Sequence, residues 1–285
     1  MDWTLIVALL VLGCATGFVA GLLGIGGGML LVPFLTMLFT LRAFPEQHLV
    51  HMAIATSLAT ILFTSVASVR AHHKRGAVLW PVVKVLAPGI LIGSLIGAQI
   101  AGRLPTVFIA LFFGVFVGFS ALQMLRDKKP KPSRELPRPL GMFGVGNVIG
   151  FISSLVGAGG GFISVPFMVW SNVKIHNAVA TSAALGFPIA AAGTVGYIIA
   201  GMSEHSLPTG TVGFVYLPAL LAVGCGSVLT APLGAKVAHS LDTSRLKRIF
   251  VVEDLPRNAM GKVQKNVLRD RYKSTFSPSG APSTR

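Results

Sequence analysis

Charge is scarce in this chain: only 12% of its 285 residues are Asp, Glu, Lys or Arg, against about 25% in a typical soluble domain. Acidic residues are scarcer still. The nine of them (Asp2, Glu46, Asp127, Glu135, Glu204, Asp242, Glu253, Asp254 and Asp270) all fall in loops, at segment ends or in the C-terminal stretch. With no carboxylate inside an apolar run, a buried acidic proton relay or cation site is not supported. The two cysteines, Cys14 and Cys225, lie in apolar stretches and read as small hydrophobes. The opening "MDWTLIVALLVLGCATG" has no basic n-region and its apolar run simply continues, so no cleavable signal peptide is expected. No phosphate-binding Walker sequence is present, which argues against ATP use. Ser153, Ser154 and His176 lack the G-x-S-x-G setting and the carboxylate partner of a hydrolase. "RAHHKR" (70–75) reads as a basic loop at lipid headgroups rather than a metal site. No catalytic residue, metal or cofactor is therefore expected, and the chain does not read as an enzyme.

What is abundant is apolar sequence. Hydrophobic residues make up 53% of the chain, and the mean hydropathy is +0.74. Apolar segments run over 3–23, 26–41, 49–69, 78–101, 105–125, 141–156, 158–170, 178–200 and 210–235. Many have the ~20-residue length that spans a ~30 Å hydrocarbon core. The expectation is an all-α polytopic membrane protein in contact with the lipid bilayer. The net charge of +15 then fits cytoplasmic loops facing anionic headgroups. Basic residues are not interleaved with aromatics, so no nucleic-acid partner is expected.

The sequence is internally duplicated. "LLGIGGGMLLVPFL" (22–35) returns as "LVGAGGGFISVPFM" (155–168), and "HMAIATS" (51–57) returns as "HNAVATS" (176–182). Pro88 is matched with Pro218, and "GAQIAGRL" (97–104) with "GAKVAHSL" (234–241). This divides the chain into a first transmembrane repeat (1–125), a basic linker (126–140), a second repeat (141–250) and a tail (251–285). Residues 3–41 are too long for one crossing, so each repeat is expected to open with two segments joined at its glycines. That arrangement puts fifteen of the seventeen basic residues between 42 and 248 on one side, leaving Arg42 and Arg103 on the other. By the positive-inside rule the N-terminus lies outside, and the two repeats are inverted relative to each other.

A helix broken at glycines offers free N–H groups and a positive dipole end at the start of its second half. Gly26, Gly27 and Gly28, with Gly159, Gly160 and Gly161, are thus candidates to hold a small anion from two symmetric sides, and Pro33 and Pro166 are candidate structural helix breaks. The competing explanation is close helix packing through small residues. Thr56, Ser57, Thr181 and Ser182 are candidate hydroxyl donors to the same anion, unless they bond to their own helix carbonyls. His51 and His176, near segment ends, read as capping or interfacial groups rather than ligands.

The paired "GIGGGMLLVPFL" and "GAGGGFISVPFM", each followed by H-x-A-x-A-T-S, resemble the TauE/SafE sulfite-exporter family over about residues 4–250. The resemblance implies a secondary transporter of the bacterial cytoplasmic membrane, exporting a small sulfur-containing oxyanion such as sulfite or an organosulfonate. It places the motif residues at the glycines, prolines and hydroxyls above, and implies that Gly24 and Gly157 join them as substrate-binding candidates. The end departs from that pattern. Where the first repeat has its last helix, the second reads "HSLDTSRLKRIF" and then "VVEDLPRNAMGKVQKNVLRDRY" (251–272). That stretch resembles the C-terminal lysine motif of malonyl-CoA synthetase-like acyl-CoA synthetases, with Lys262 at the lysine position. The expectation is a second repeat lacking its last helix, followed by a foreign soluble tail. An alternative is a truncated or fused relic with neither transport nor ligase activity.

Overall fold

A computed structural model describes residues 3–23, 27–125, 135–204 and 206–240. Gly24, Gly26, most of the linker and everything expected of the 251–285 tail lie outside the described residues. The first repeat contributes α1 (Trp3–Leu23), α2 (Gly28–Leu41), α3 (Leu49–His73), α4 (Trp80–Ala101) and α5 (Thr106–Leu125). The second contributes α6 (Pro139–Val156), α7 (Gly161–Trp170), α8 (Ile175–Gly201) and α9 (Leu217–Ser240), with a small hairpin of β1 (Thr211–Val212) and β2 (Val215–Tyr216) before α9. Among the described residues, seven helices are long and apolar enough to cross a membrane. The other two, α2 and α7, have 14 and 10 residues. At 1.5 Å per residue they reach about half to two thirds of a ~30 Å core.

Helix directions follow from which residues meet. Along α1, Gly13, Gly17 and Gly21 face Val223, Ser227 and Ala231 of α9 in rising order, so these two helices are parallel. Gly89, Gly93 and Gly97 of α4 face Phe143, Asn147 and Phe151 of α6, which are parallel too. Between α3 and α8 the order reverses: Gly186 lies by Ile61 and Gly193 by Leu58. Helices α1, α3 and α9 therefore run one way, and α4, α6 and α8 the other. The two repeats enter from opposite ends and are inverted, as their loop charges require. Arg75 donates to the Ala235 carbonyl at 2.7 Å, which brings the C-terminal ends of α3 and α9 together. Arg70, Lys74, Arg75, Arg138, Lys174 and Lys236 gather at this basic end, while Arg42 and Arg103 lie at the far end.

Lipid supplies no hydrophobic drive between helices, so close packing of small residues has to supply the attraction. The glycine rows of α1 against α9, and of α4 against α6, do this across the repeat boundary. The repeats are interleaved rather than side by side. This seam also corrects one match made from sequence. Gly89 packs on Phe143 and Asn147, and Gly226 packs on the symmetric Leu10 and Cys14. Pro88 is thus the counterpart of Cys225, and Pro218 is simply the second residue of α9. Helices α3 and α8 form the centre, with 72% and 61% of their apolar windows buried, whereas α5 has 11% and presents its apolar surface outward, as a lipid-facing helix must.

At the far end the β-hairpin inserts Phe214, fully buried, against His51 (5.2 Å between ring centroids) and Tyr197 (6.4 Å). The His51 Nε2 lies 3.1 and 3.0 Å from the carbonyls of Ala101 and Leu104, where it donates and satisfies the C-terminal turn of α4. This is the capping role its position implied.

Candidate functional site

Both helix breaks fall at glycines and at mid-height of α3 and α8. Gly27 (φ 71°) precedes α2 and Gly160 (φ 75°) precedes α7, both left-handed conformations that glycine adopts without a Cβ penalty. The two breaks touch: a Cβ at Gly28 would overlap the Gly157 carbonyl oxygen and lie 2.9 Å from the Ala158 Cα. Ser57 donates to the same Gly157 carbonyl at 2.9 Å, tying α3 to the second break. Two short helices thus begin side by side, with first-turn N–H groups that have no partner within their own helix. The prolines are not the breaks. Helices α2 and α7 run through Pro33 and Pro166. Each proline is the sixth residue of its helix, where its missing N–H costs one bond near the helix start and the chain continues.

The candidate hydroxyls separate into two roles. Thr56 accepts from the Tyr216 N–H and Thr181 from the Leu79 N–H, both at 3.0 Å. These are symmetric contacts, because Leu79 and Tyr216 immediately precede α4 and α9. Each threonine satisfies a donor at the entry of a helix, and α4 has no side-chain cap of its own there. Thr56→Val or Thr181→Val is expected to strand that N–H and cost about 1–3 kcal/mol. Serine at the same position should restore most of the loss in a thermal melt, and equal melting of the valine and wild-type proteins would refute the anchoring role. Ser182, by contrast, is fully buried and lines an internal cleft.

That cleft, a narrow space with room for about one water molecule, is bounded by Ala20 of α1, Thr64, Ser65 and Ser68 of α3, Gly159 at the second break, and Ser182, Ala183 and Gly186 of α8. It sits between mid-height and the basic end. Thr64 pairs with the Ser227 hydroxyl at 2.7 Å, and Ser65 donates to the Leu62 carbonyl at 3.0 Å. Ser68 is 3% exposed and its Oγ has no hydrogen-bond partner among the described residues. A buried hydroxyl left unpaired costs free energy unless something binds it. Among the described residues, no ionised side chain lines the cleft.

Of the candidate glycines, Gly159 lines this cleft. Gly27, Gly28, Gly157 and Gly160 build the breaks, and Gly161 is the buried first residue of α7. The residues missed from sequence are Thr64, Ser65 and Ser68. A signal was there: Thr56, Thr60, Thr64 and Ser68 recur every four residues, which makes a single hydroxyl stripe along one face of α3.

Residues 9–252 match the family described as sulfite exporter TauE/SafE. A protein of Haemophilus influenzae named "Probable membrane transporter protein" is 36% identical over 251 residues, covering 88% of this chain and 95% of that protein. A Bacillus subtilis relative of the same description, YunE, is 28% identical, covering 86% of this chain and 92% of its own length. One from Methanocaldococcus jannaschii is 24% identical over 84% of this chain and 88% of its own length. No solved structure matches the chain significantly. Nothing in these matches supports the resemblance of residues 251–273 to acyl-CoA synthetases.

Proposed function

Because the chain belongs to the sulfite exporter TauE/SafE family and is a multi-pass membrane transporter rather than an enzyme, we propose that it exports a small sulfur-containing oxyanion, sulfite or an organosulfonate, held in the cleft between α3, α8 and the second glycine break. The observation that carries this reading is the buried, unpartnered Ser68 hydroxyl facing a cleft with Ser182 and Gly159. Hydroxyl and backbone N–H donors stabilise an oxyanion without the cost of a buried charge. With no cation in the wall, the anion is held weakly enough to leave, which transport requires. The glycine breaks bring the α7 N-terminal dipole to the same place.

The basic end, with the 126–140 linker, faces the cytoplasm by the positive-inside rule, and the N-terminus lies outside. The membrane is the bacterial cytoplasmic membrane. A cleft placed toward the basic end then loads from the cytoplasm, which favours export. Inside-out vesicles carrying the chain are expected to accumulate sulfite saturably above vesicles lacking it. Saturable uptake of neither sulfite nor a small organosulfonate, with the protein confirmed in the membrane, would refute the substrate class.

A further inference from the structure

The inverted symmetry assigns every cleft residue a counterpart, and among the described counterparts large aliphatic side chains occupy the equivalent space. Offsets of 133 between α1 and α6, and of 125 between α3 and α8, follow from the matched blocks. Packing obeys them: Gly27 lies against Thr16 and Ala20, and Gly160 against Ile149 and Ser153. Ser68 and Ala183 flank the cleft, and their counterparts are Gly193 and Leu58. There the space is filled, with the Leu58 Cδ1 only 2.9 Å from where a Cβ on Gly193 would sit. Thr64 becomes Ile189, whose Cδ1 would overlap a Cβ on Gly160. Gly186 becomes Ile61. At three positions a small or hydroxylated cleft residue is replaced by a large aliphatic one, and Leu58, Ile61 and Ile189 are fully buried.

We propose that Leu58, Ile61 and Ile189 are the closed gate of the transport path, plugging on the far side the space that the cleft occupies toward the basic end. The assignment rests on the cleft being the substrate site. An inverted pair that is open to one side must be sealed on the other. Three aliphatic side chains seal against an anion by excluding water. Behind them, Ser153 is the counterpart of Ala20. It is 2% exposed and its Oγ has no partner. It is the polar group an anion meets once the gate opens toward the far end.

The test uses the full chain in a Cys14→Ala, Cys225→Ala background, in vesicles of both orientations, with a membrane-impermeant charged thiol reagent. Ser68→Cys is expected to label from the basic end. Ser153→Cys is expected to stay unlabelled from the far end until Leu58→Ala and Ile189→Ala are added, after which labelling rises at least tenfold. Labelling of Ser153→Cys from the far end with the gate intact would overturn the proposal. So would its continued protection in a folded gate variant whose parallel Ser68→Cys version still labels. If the gate variant does not fold, Ala183→Leu places the counterpart side chain in the cleft and should abolish Ser68→Cys labelling. Labelling that persists there overturns the proposal as well. Ser68→Cys unreactive from both ends would instead overturn the cleft reading itself.

Discussion

Gly28→Ala is expected to leave little folded protein. Overpacking by a single methyl typically costs about 1–3 kcal/mol when side chains can yield. Here the obstacles are backbone atoms, the Gly157 oxygen and the Ala158 Cα, and no rotamer change moves them aside. The two glycine breaks would have to separate, taking with them the Ser57 bond to Gly157. The effect should therefore lie at the upper end of that range or beyond, with a sharply lower melting temperature and at least a tenfold loss of flux. Gly118→Ala is the control. Nothing lies within 4 Å of a Cβ there, and alanine in the interior of α5 stabilises a helix by up to about 1 kcal/mol. Melting of purified protein in detergent checks both. Gly28→Ala and Gly118→Ala melting alike would contradict the contact between the breaks.

Ser68→Ala is expected to do the reverse, sparing the fold and damaging transport. Its hydroxyl makes no bond among the described residues, so removing it strands no partner there and should leave the melting temperature unchanged or raise it. A hydrogen bond to a charged group is worth about 1.5–3 kcal/mol. At 1.4 kcal/mol per tenfold, KM for the anion should rise roughly ten- to a hundredfold. Ser65→Ala, which removes a hydroxyl already bonded to the Leu62 carbonyl, should change KM less. An unchanged KM in Ser68→Ala would remove this residue from the binding site.

The architecture was legible because lipid imposes simple rules. Segments of 3–23, 49–69 and 78–101 were readable from length and hydropathy alone, and α1, α3 and α4 occupy them with small shifts at the ends. Inversion was legible from loop charge, since one reading left only Arg42 and Arg103 on the far side. Two misreadings share a cause. A proline removes one backbone N–H without having to end its helix. Pro33 and Pro166 each stand sixth in their helix, which loses one bond there and continues through them. The Pro88–Pro218 match rested on letter identity, whereas the seam is set by which glycines touch. The site was half legible. Gly159 and Ser182 were marked by duplication. Thr64, Ser65 and Ser68 were not, because their counterparts are Ile189, Ala190 and Gly193, and a search for what the repeats share passes over where they differ.

The most direct test of the cleft as an oxyanion site is protection of Ser182→Cys, in the background lacking Cys14 and Cys225, from a charged thiol reagent applied at the basic end. The protecting anion should be a small organosulfonate, since sulfite itself consumes thiol reagents. An anion seated in the cleft slows labelling saturably, and an equal concentration of chloride does not. Labelling at the same rate with and without the organosulfonate, in protein that demonstrably transports it, would place the substrate elsewhere.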